Sequence, residues 1–303
     1  MEENRASITS TVTAYSRAYH SKYDHPKIFD DFIAIRLFSK EELEFLEYNL
    51  AESAKFIDPG LAEACSDQAC RLKLAMKFNA PTTLSRSRYT EDIVEEAIHQ
   101  GMRQYVILGA GLDTFAFRRP DLAGKIKIFE VDHPATQAQK KDRLSNAGLV
   151  PAPQHYFIPV DLAQTSLDEA LEASAFNRSE PVIFSWLGVT FYLSYEVVMN
   201  TFKAIAGISA PGSIVVFDFM DREAFVPGKA SMHSKKIREI VKNAGEPMKM
   251  GFDVETLGSV LEEAGFQLRE ILTPGEIQKR YFQGRTDGYH AAEHIHFAYA
   301  AVR

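Results

Sequence analysis

The stretch Gln104–Arg118, QYVILGAGLDTFAFR, limits the possible folds of this chain more than any other. Four consecutive apolar side chains, Tyr105 to Leu108, run straight into Gly109-Ala110-Gly111 and then into a helical pattern. An apolar run without alternation suits a strand buried on both faces, and such strands belong to parallel sheets covered by helices. Glycines at the strand end let ligand atoms reach backbone N–H groups that a side chain would shield. The dinucleotide fingerprint G-x-G-x-x-G asks for a third glycine where this chain has Thr114. The lysine of a phosphate-binding loop is missing as well. A nucleoside without phosphates needs only the two close approaches, and S-adenosylmethionine is such a ligand.

The rest of the chain supplies the matching alternation. Short apolar runs at Gln104–Leu108, Lys125–Val131, Gln154–Pro159, Pro181–Trp186 and Ser213–Asp218 read as strands. Helical segments near Pro134–Ala147, Ser166–Ala173 and Ser194–Ile208 lie between them. A helix, a stop at Gly265 and a strand follow in DVETLGSVLEEAGFQLREIL, and HIHFAYAAV reads as the last strand. The prediction is a doubly wound, Rossmann-like, seven-stranded, mostly parallel sheet. An amphipathic segment at Lys235–Asn243 reads as an insertion over the sheet edge. Residues 101–303 form the binding domain, and residues 1–100 read as a helical cap lobe. In that lobe Leu43, Leu46 and Leu50 share a stripe. Residues 60–80 read as one helix ended by Pro81, and another runs from Thr90 to His99.

Two strand ends carry acids. Glu130 and Asp132 lie roughly 20 residues after the glycine turn, the distance at which a carboxylate meets ribose hydroxyls. They have the same alternation parity. The competing reading makes Asp132 a cap for the helix that opens at Pro134. Asp161 closes the third strand, where a polar side chain can reach an adenine amino group.

In these residues the chain resembles the leucine carboxyl methyltransferase family of S-adenosyl-L-methionine-dependent O-methyltransferases, which includes polyketide carboxyl methyltransferases. The matching pieces, in the family's order, are SRAYHSKYDHPKIFDDFIA, RSRYTED, QYVILGAGLDTFAFR, FEVDHPATQAQKKDRL, VDL and SWLGVTFYLS. The resemblance implies that Gly109, Ala110 and Gly111 lie beside the methionine part of the cofactor. It implies that Asp132 holds the ribose and that Asp161 and Leu162 meet adenine. It implies too that an arginine before the first strand binds the cofactor's carboxylate, a place for which Arg86 and Arg88 compete. The family commonly has a glutamate five places before Tyr192, whereas this chain has Leu187.

A carboxylate acceptor is already ionised at neutral pH and needs no base, whereas a hydroxyl does. His133, His155, His233, His290, His294 and His296 are available by type. His294 and His296 share one face of the last strand, without an evident third metal ligand. Tyr192 and Thr190 after the fourth strand, and Tyr15, Arg17 and Tyr19 in the cap lobe, are candidates for positioning the acceptor. The expected activity is methyl transfer to a carboxylate or hydroxyl oxygen of a small molecule. A protein C-terminal carboxylate, a nicotinamide-dependent oxidoreductase and a non-catalytic cofactor-binding protein are the alternatives.

The formal net charge of -7 and the lack of a basic stripe argue against nucleic acid as a partner. Two cysteines, Cys65 and Cys70, read as lying in one helix, too few for a disulfide framework and in keeping with a reducing cytoplasm. The chain shows neither the apolar stretch of a signal peptide nor a membrane span.

Overall fold

The computed structural model describes residues 7–161 and 164–303. Helix α1 spans Ile8–Tyr23, opened by Ser7, whose side chain accepts from the Ser10 N–H. Helix α2, Lys40–Ile57, begins with a reciprocal cap between Ser39 and Glu42. Helix α3 is short, Pro59–Ala64. Helix α4 runs from Gln68 to His99.

These helices correct the sequence expectation in two places. Residues 60–80 are not one helix: Asp67 takes an extended conformation and accepts from the Cys70 N–H, opening α4 there. The break brings Cys65 and Cys70 together, with Cα atoms 5.4 Å apart, and their sulfurs are bonded as a disulfide. Nor does Pro81 end a helix, since α4 continues through it for a further 18 residues. An interior proline costs about 3 kcal/mol. Leu84, Tyr89 and Val94, all buried, offset that cost at about 1.5–3 kcal/mol for each large apolar side chain.

Beyond α4 come β1 (Gln104–Leu108), α5 (Phe115–Arg118), β2 (Lys127–Asp132), α6 (Pro134–Asn146), β3 (His155–Pro159) and α7 (Leu167–Glu172). Then follow β4 (Ile183–Trp186), α8 (Tyr195–Ile208), β5 (Ile214–Met220), α9 (Met232–Asn243), α10 (Leu257–Glu263), β6 (Phe266–Leu272), α11 (Pro274–Ile277) and β7 (Ile295–Val302). The strands make one seven-stranded sheet in the order β3-β2-β1-β4-β5-β7-β6. All pairs are parallel except those of β7 with β5 and β6. This is the predicted doubly wound sheet, with one antiparallel strand inserted near an edge.

Alternation along each strand sends successive side chains to opposite layers. Val106, Leu108, Phe129, Val131, Phe184 and Trp186 pack with Val198, Phe202 and Ile205 of α8 and with Leu257 and Leu261 of α10. On the other face Tyr105, Ile107, Ile128 and Ile183 meet Val94 and Ala97 of α4. Ala80, Leu84 and Tyr89 of α4 pack with Val216 and Phe297. The second half of α4 thus serves as a layer helix of the sheet.

Candidate active site

The strand order reverses between β1 and β4, and in open α/β sheets ligands bind outside the carboxyl ends of the strands at such a point. A cavity of about 620 Å³ opens there. Its floor is formed by Gly109, Ala110 and Gly111 after β1, Asp132 ending β2, Asp161 after β3, and Leu187 and Gly188 after β4. α1, α4, α9 and the segment 244–249 close over it.

The turn after β1 is tied to the sheet, because the Gly109 and Ala110 N–H groups donate to the Val131 carbonyl at 2.8 and 3.2 Å. Gly109 has φ +66°, and a Cβ there would lie 2.4 Å from Val189 Cγ2. Only glycine meets both conditions. The third fingerprint position, Thr114, is buried, donates to Asp31 at 2.6 Å and lies outside the cavity lining. Asp31 also pairs with Arg17 at 2.8 Å, and Arg17 donates to the Leu112 carbonyl at 2.7 Å. A buried ionic cluster therefore fastens α1 over the glycine turn.

The two acids of β2 share a face, as their parity requires, but have different surroundings. Glu130 is fully buried, ion-paired with Lys140 and bonded to His155 at 2.9 Å. Burial pushes its carboxyl up, yet Lys140 and His155 outweigh this and hold it below its ordinary value. Asp132 accepts from the Gly111 N–H and from the His133 N–H at 2.6 Å. Burial lifts its carboxyl above the ordinary value, against the pull of these two amides. The cap of α6 is His133, whose Nδ1 accepts from the Ala135 N–H, so Asp132 is left facing the cavity. Beside it Thr136 Oγ1, buried and lining the cavity, has no hydrogen-bond partner among the described residues.

The two competing arginines separate. Arg86 lines the cavity and pairs with the buried Asp218 at 2.9 Å, while Arg88 turns outward to Asp92. Asp218 also accepts from the Gly188 N–H at 2.6 Å, so one buried carboxylate fixes both the arginine and the turn after β4. At Gly188, φ +69°, a Cβ would strike the Arg86 guanidinium at 2.6 Å. Asp161 lines the cavity and accepts from Gln164 at 3.1 Å, while Leu162 lies outside the described residues.

Of the acceptor candidates, Tyr192 and Arg17 line the cavity, and Arg17 is already held by Asp31 and the Leu112 carbonyl. Burial and the nearby Glu246 lift the Tyr192 hydroxyl far above the ordinary value, which makes it a donor and not a phenolate. Thr190 is buried and donates to the Asp218 carbonyl at 2.8 Å. Tyr15 bonds Glu47, and Tyr19 packs against the α1–α2 core, both outside the cavity lining. His294 and His296 both face the Asp221 carboxylate, and no metal-holding group occurs among the described residues.

Several participants were not picked out in the sequence. Asp218 left a usable signal, a lone acid inside the apolar run IVVFDF. Glu246 left none. Its carboxylate accepts from the Ile8 N–H at 3.1 Å, the Thr9 N–H at 3.3 Å and Thr9 Oγ1 at 2.5 Å, holding the start of α1 against segment 244–249. Phe78 and Ser234 likewise reach the cavity from helices whose inward faces ordinary hydrophobic periodicity does not distinguish.

A seven-stranded sheet of this order with its cavity at the β1/β4 reversal defines the class I methyltransferase fold. Solved structures agree: a DUF574 family protein from Streptomyces avermitilis superposes with TM-score 0.58 at 13% identity, over 96% of this chain and 97% of that one. A methyltransferase-like protein from Thermobifida fusca gives TM-score 0.53 at 17% identity, over 95% and 94%. The chain belongs to the leucine carboxyl methyltransferase family, whose model matches residues 10–206. YktD of Bacillus subtilis strain 168, named for S-adenosyl-L-methionine-dependent methyltransferase activity, is 36% identical over 100% of both chains. A similarly named protein of Mycobacteroides abscessus is 31% identical over 82% of this chain and 76% of its own.

Proposed function

We propose that this protein transfers the methyl group of S-adenosyl-L-methionine to an oxygen of a small-molecule acceptor. Its family and its relatives support the cofactor, and the residues fit it. The observation that carries the reading is the convergence of the bare Gly109–Gly111 turn, the Asp132 carboxylate and the Arg86 guanidinium on one cavity. In the proposed arrangement the turn receives the methionine part, Asp132 takes the ribose hydroxyls, Arg86 takes the carboxylate and Asp161 meets adenine. Arg88, paired with Asp92 on the surface, takes no part. The bound group supplies an electrophilic methyl on a sulfonium.

Transfer of that methyl is an in-line displacement, so the protein's work is to hold the acceptor in line and exclude water. The cavity is of the size that takes a cofactor and a small molecule. The Glu246 contacts that hold α1 down favour a small acceptor over a protein chain end. The dinucleotide alternative is weakened by Thr114, engaged with Asp31 where the fingerprint needs glycine.

Isothermal calorimetry with S-adenosyl-L-methionine and with NAD, followed by mass spectrometry after incubation with methyl-labelled cofactor and a metabolite extract, tests the reading. Binding of the first alone and a labelled methyl ether or ester are expected. Binding of NAD alone would sink it.

A further inference from the structure

Three histidines line the cavity, His133, His233 and His294, and the partner of each fixes which ring nitrogen carries its proton. His133 Nδ1 accepts from the Ala135 N–H, which occupies its lone pair in capping α6. His294 Nε2 accepts from the Ser231 N–H at 3.1 Å, and its Nδ1 therefore donates to Asp221 at 2.9 Å, so both nitrogens are engaged. His233 differs. Its Nε2 lies 3.2 Å from the Phe78 carbonyl, which can only accept, so Nε2 bears the hydrogen and Nδ1 holds the lone pair. That Nδ1 has no hydrogen bond among the described residues. The Phe78 carbonyl that holds the ring belongs to α4, a turn before Pro81.

A second, separate observation marks the same place. Ser234, 3% exposed, lines the cavity with an Oγ that has no partner among the described residues. A buried hydroxyl left unpaired is destabilising unless a ligand meets it. Lys249, which also lines the cavity, is exposed, so an ion pair there would do little to hold a carboxylate.

We propose that His233 is the catalytic base for a hydroxyl acceptor, a phenol or alcohol, whose oxygen Ser234 Oγ also contacts. The proposal rests on the methyl-transfer reading. The acceptor O–H bond breaks and its proton passes to His233 Nδ1. The freed oxygen pair forms the O–CH3 bond as the S–CH3 bond breaks with its pair staying on sulfur. The products are a methyl ether, S-adenosylhomocysteine and an imidazolium that returns its proton to water.

The surroundings keep the base neutral. Burial lowers the His233 basicity, against the Phe78 carbonyl and Glu293, which raise it, while His290 and His294 lower it further. On its own helix, Lys236 and Arg238 are turned to the Ile57 and Ala224 carbonyls, and Lys235 is exposed.

The test begins on the intact protein, labelled with 15N at its histidines and assigned with His233→Gln. At pH 7 Nδ1 is expected to resonate as an unprotonated ring nitrogen and to shift when phenol is added with S-adenosylhomocysteine. With labelled cofactor and a panel of phenol, 4-nitrophenol and benzoate, methyl ethers are expected. His233→Gln should lower kcat on phenol by about 10²–10⁴-fold with little change in KM, and by less on the more acidic 4-nitrophenol. A protonated Nδ1 at pH 7, no methylated phenol at all, a methyl ester as sole product, or an ether rate indifferent to the substitution overturns the proposal. Failure of S-adenosyl-L-methionine to bind in calorimetry would instead defeat the methyl-transfer reading, and the ring-nitrogen measurement does not depend on it.

Discussion

The two ends of the cavity are built by different means. The end at β1, β2 and β3 consists of strand termini and a glycine turn: Gly109, Asp132 and Asp161 follow one another at the spacing that βα units impose. The opposite end consists of side chains from α1, α4, α9 and segment 244–249, which are far apart in sequence. Backbone geometry fixes the first end and tolerates little change in it. Helix packing fixes the second, which can be re-lined without disturbing the sheet. The family match, residues 10–206, stops before α9, so His233 and Ser234 belong to the part of the chain outside it.

That contrast is open to attack by substitution. The largest effect is expected from Gly109→Val, which forces a side chain into Val189 at a positive φ. Calorimetry should detect no S-adenosyl-L-methionine binding, and wild-type binding would mean the ligand does not use this turn.

Lys140→Met separates the two acids of β2. Removing one partner of a buried ion pair costs about 3–5 kcal/mol, so chemical denaturation should show a large loss of stability. Binding by the protein that stays folded should be near normal, because Glu130 faces Lys140 and His155, away from the cavity. Since the folded protein holds Glu130 below its ordinary value of 4.5, this stabilisation is complete above that pH and fades as pH falls below it. An acid-unfolding profile unchanged by Lys140→Met would contradict the pairing.

Asp132→Ala should weaken cofactor binding by about 1.5–3 kcal/mol, roughly 10–150-fold, with circular dichroism unchanged. An unaltered Kd would leave the carboxylate with only its structural task of holding Gly111 and His133. The smallest effect is expected at the other end, from Glu246→Gln. Weaker acceptance from Ile8 and Thr9 should cost about 1 kcal/mol and speed proteolysis near the start of α1, with binding reduced only a fewfold. Unchanged proteolysis would show that α1 is held by Arg17 and Asp31 alone.

The same contrast explains what could be read from the sequence. Apolar runs marked the strands and the mostly parallel, doubly wound class, whereas the strand order and the antiparallel β7 between β5 and β6 are read only from the structure. Asp132 and Asp161 were legible as strand-end acids, and the family resemblance chose Asp132 over Glu130, but parity alone could not, because it cannot show that Lys140 and His155 lie against Glu130. Periodicity carried less information in the helices. Pro81 reads as a stop until the burial of Leu84, Tyr89 and Val94 against the sheet is known, and the helix break at Cys65–Asp67 depends on a single capping aspartate. His233 was visible as a residue type, but its ring-nitrogen assignment depends on a carbonyl 155 residues away.

A crystal structure with S-adenosylhomocysteine would examine both ends at once. The account predicts the ribose on Asp132, the amino-acid carboxylate at Arg86 and the sulfur turned toward His233 and Ser234. A nucleoside bound elsewhere, or a sulfur directed away from α9, would contradict it.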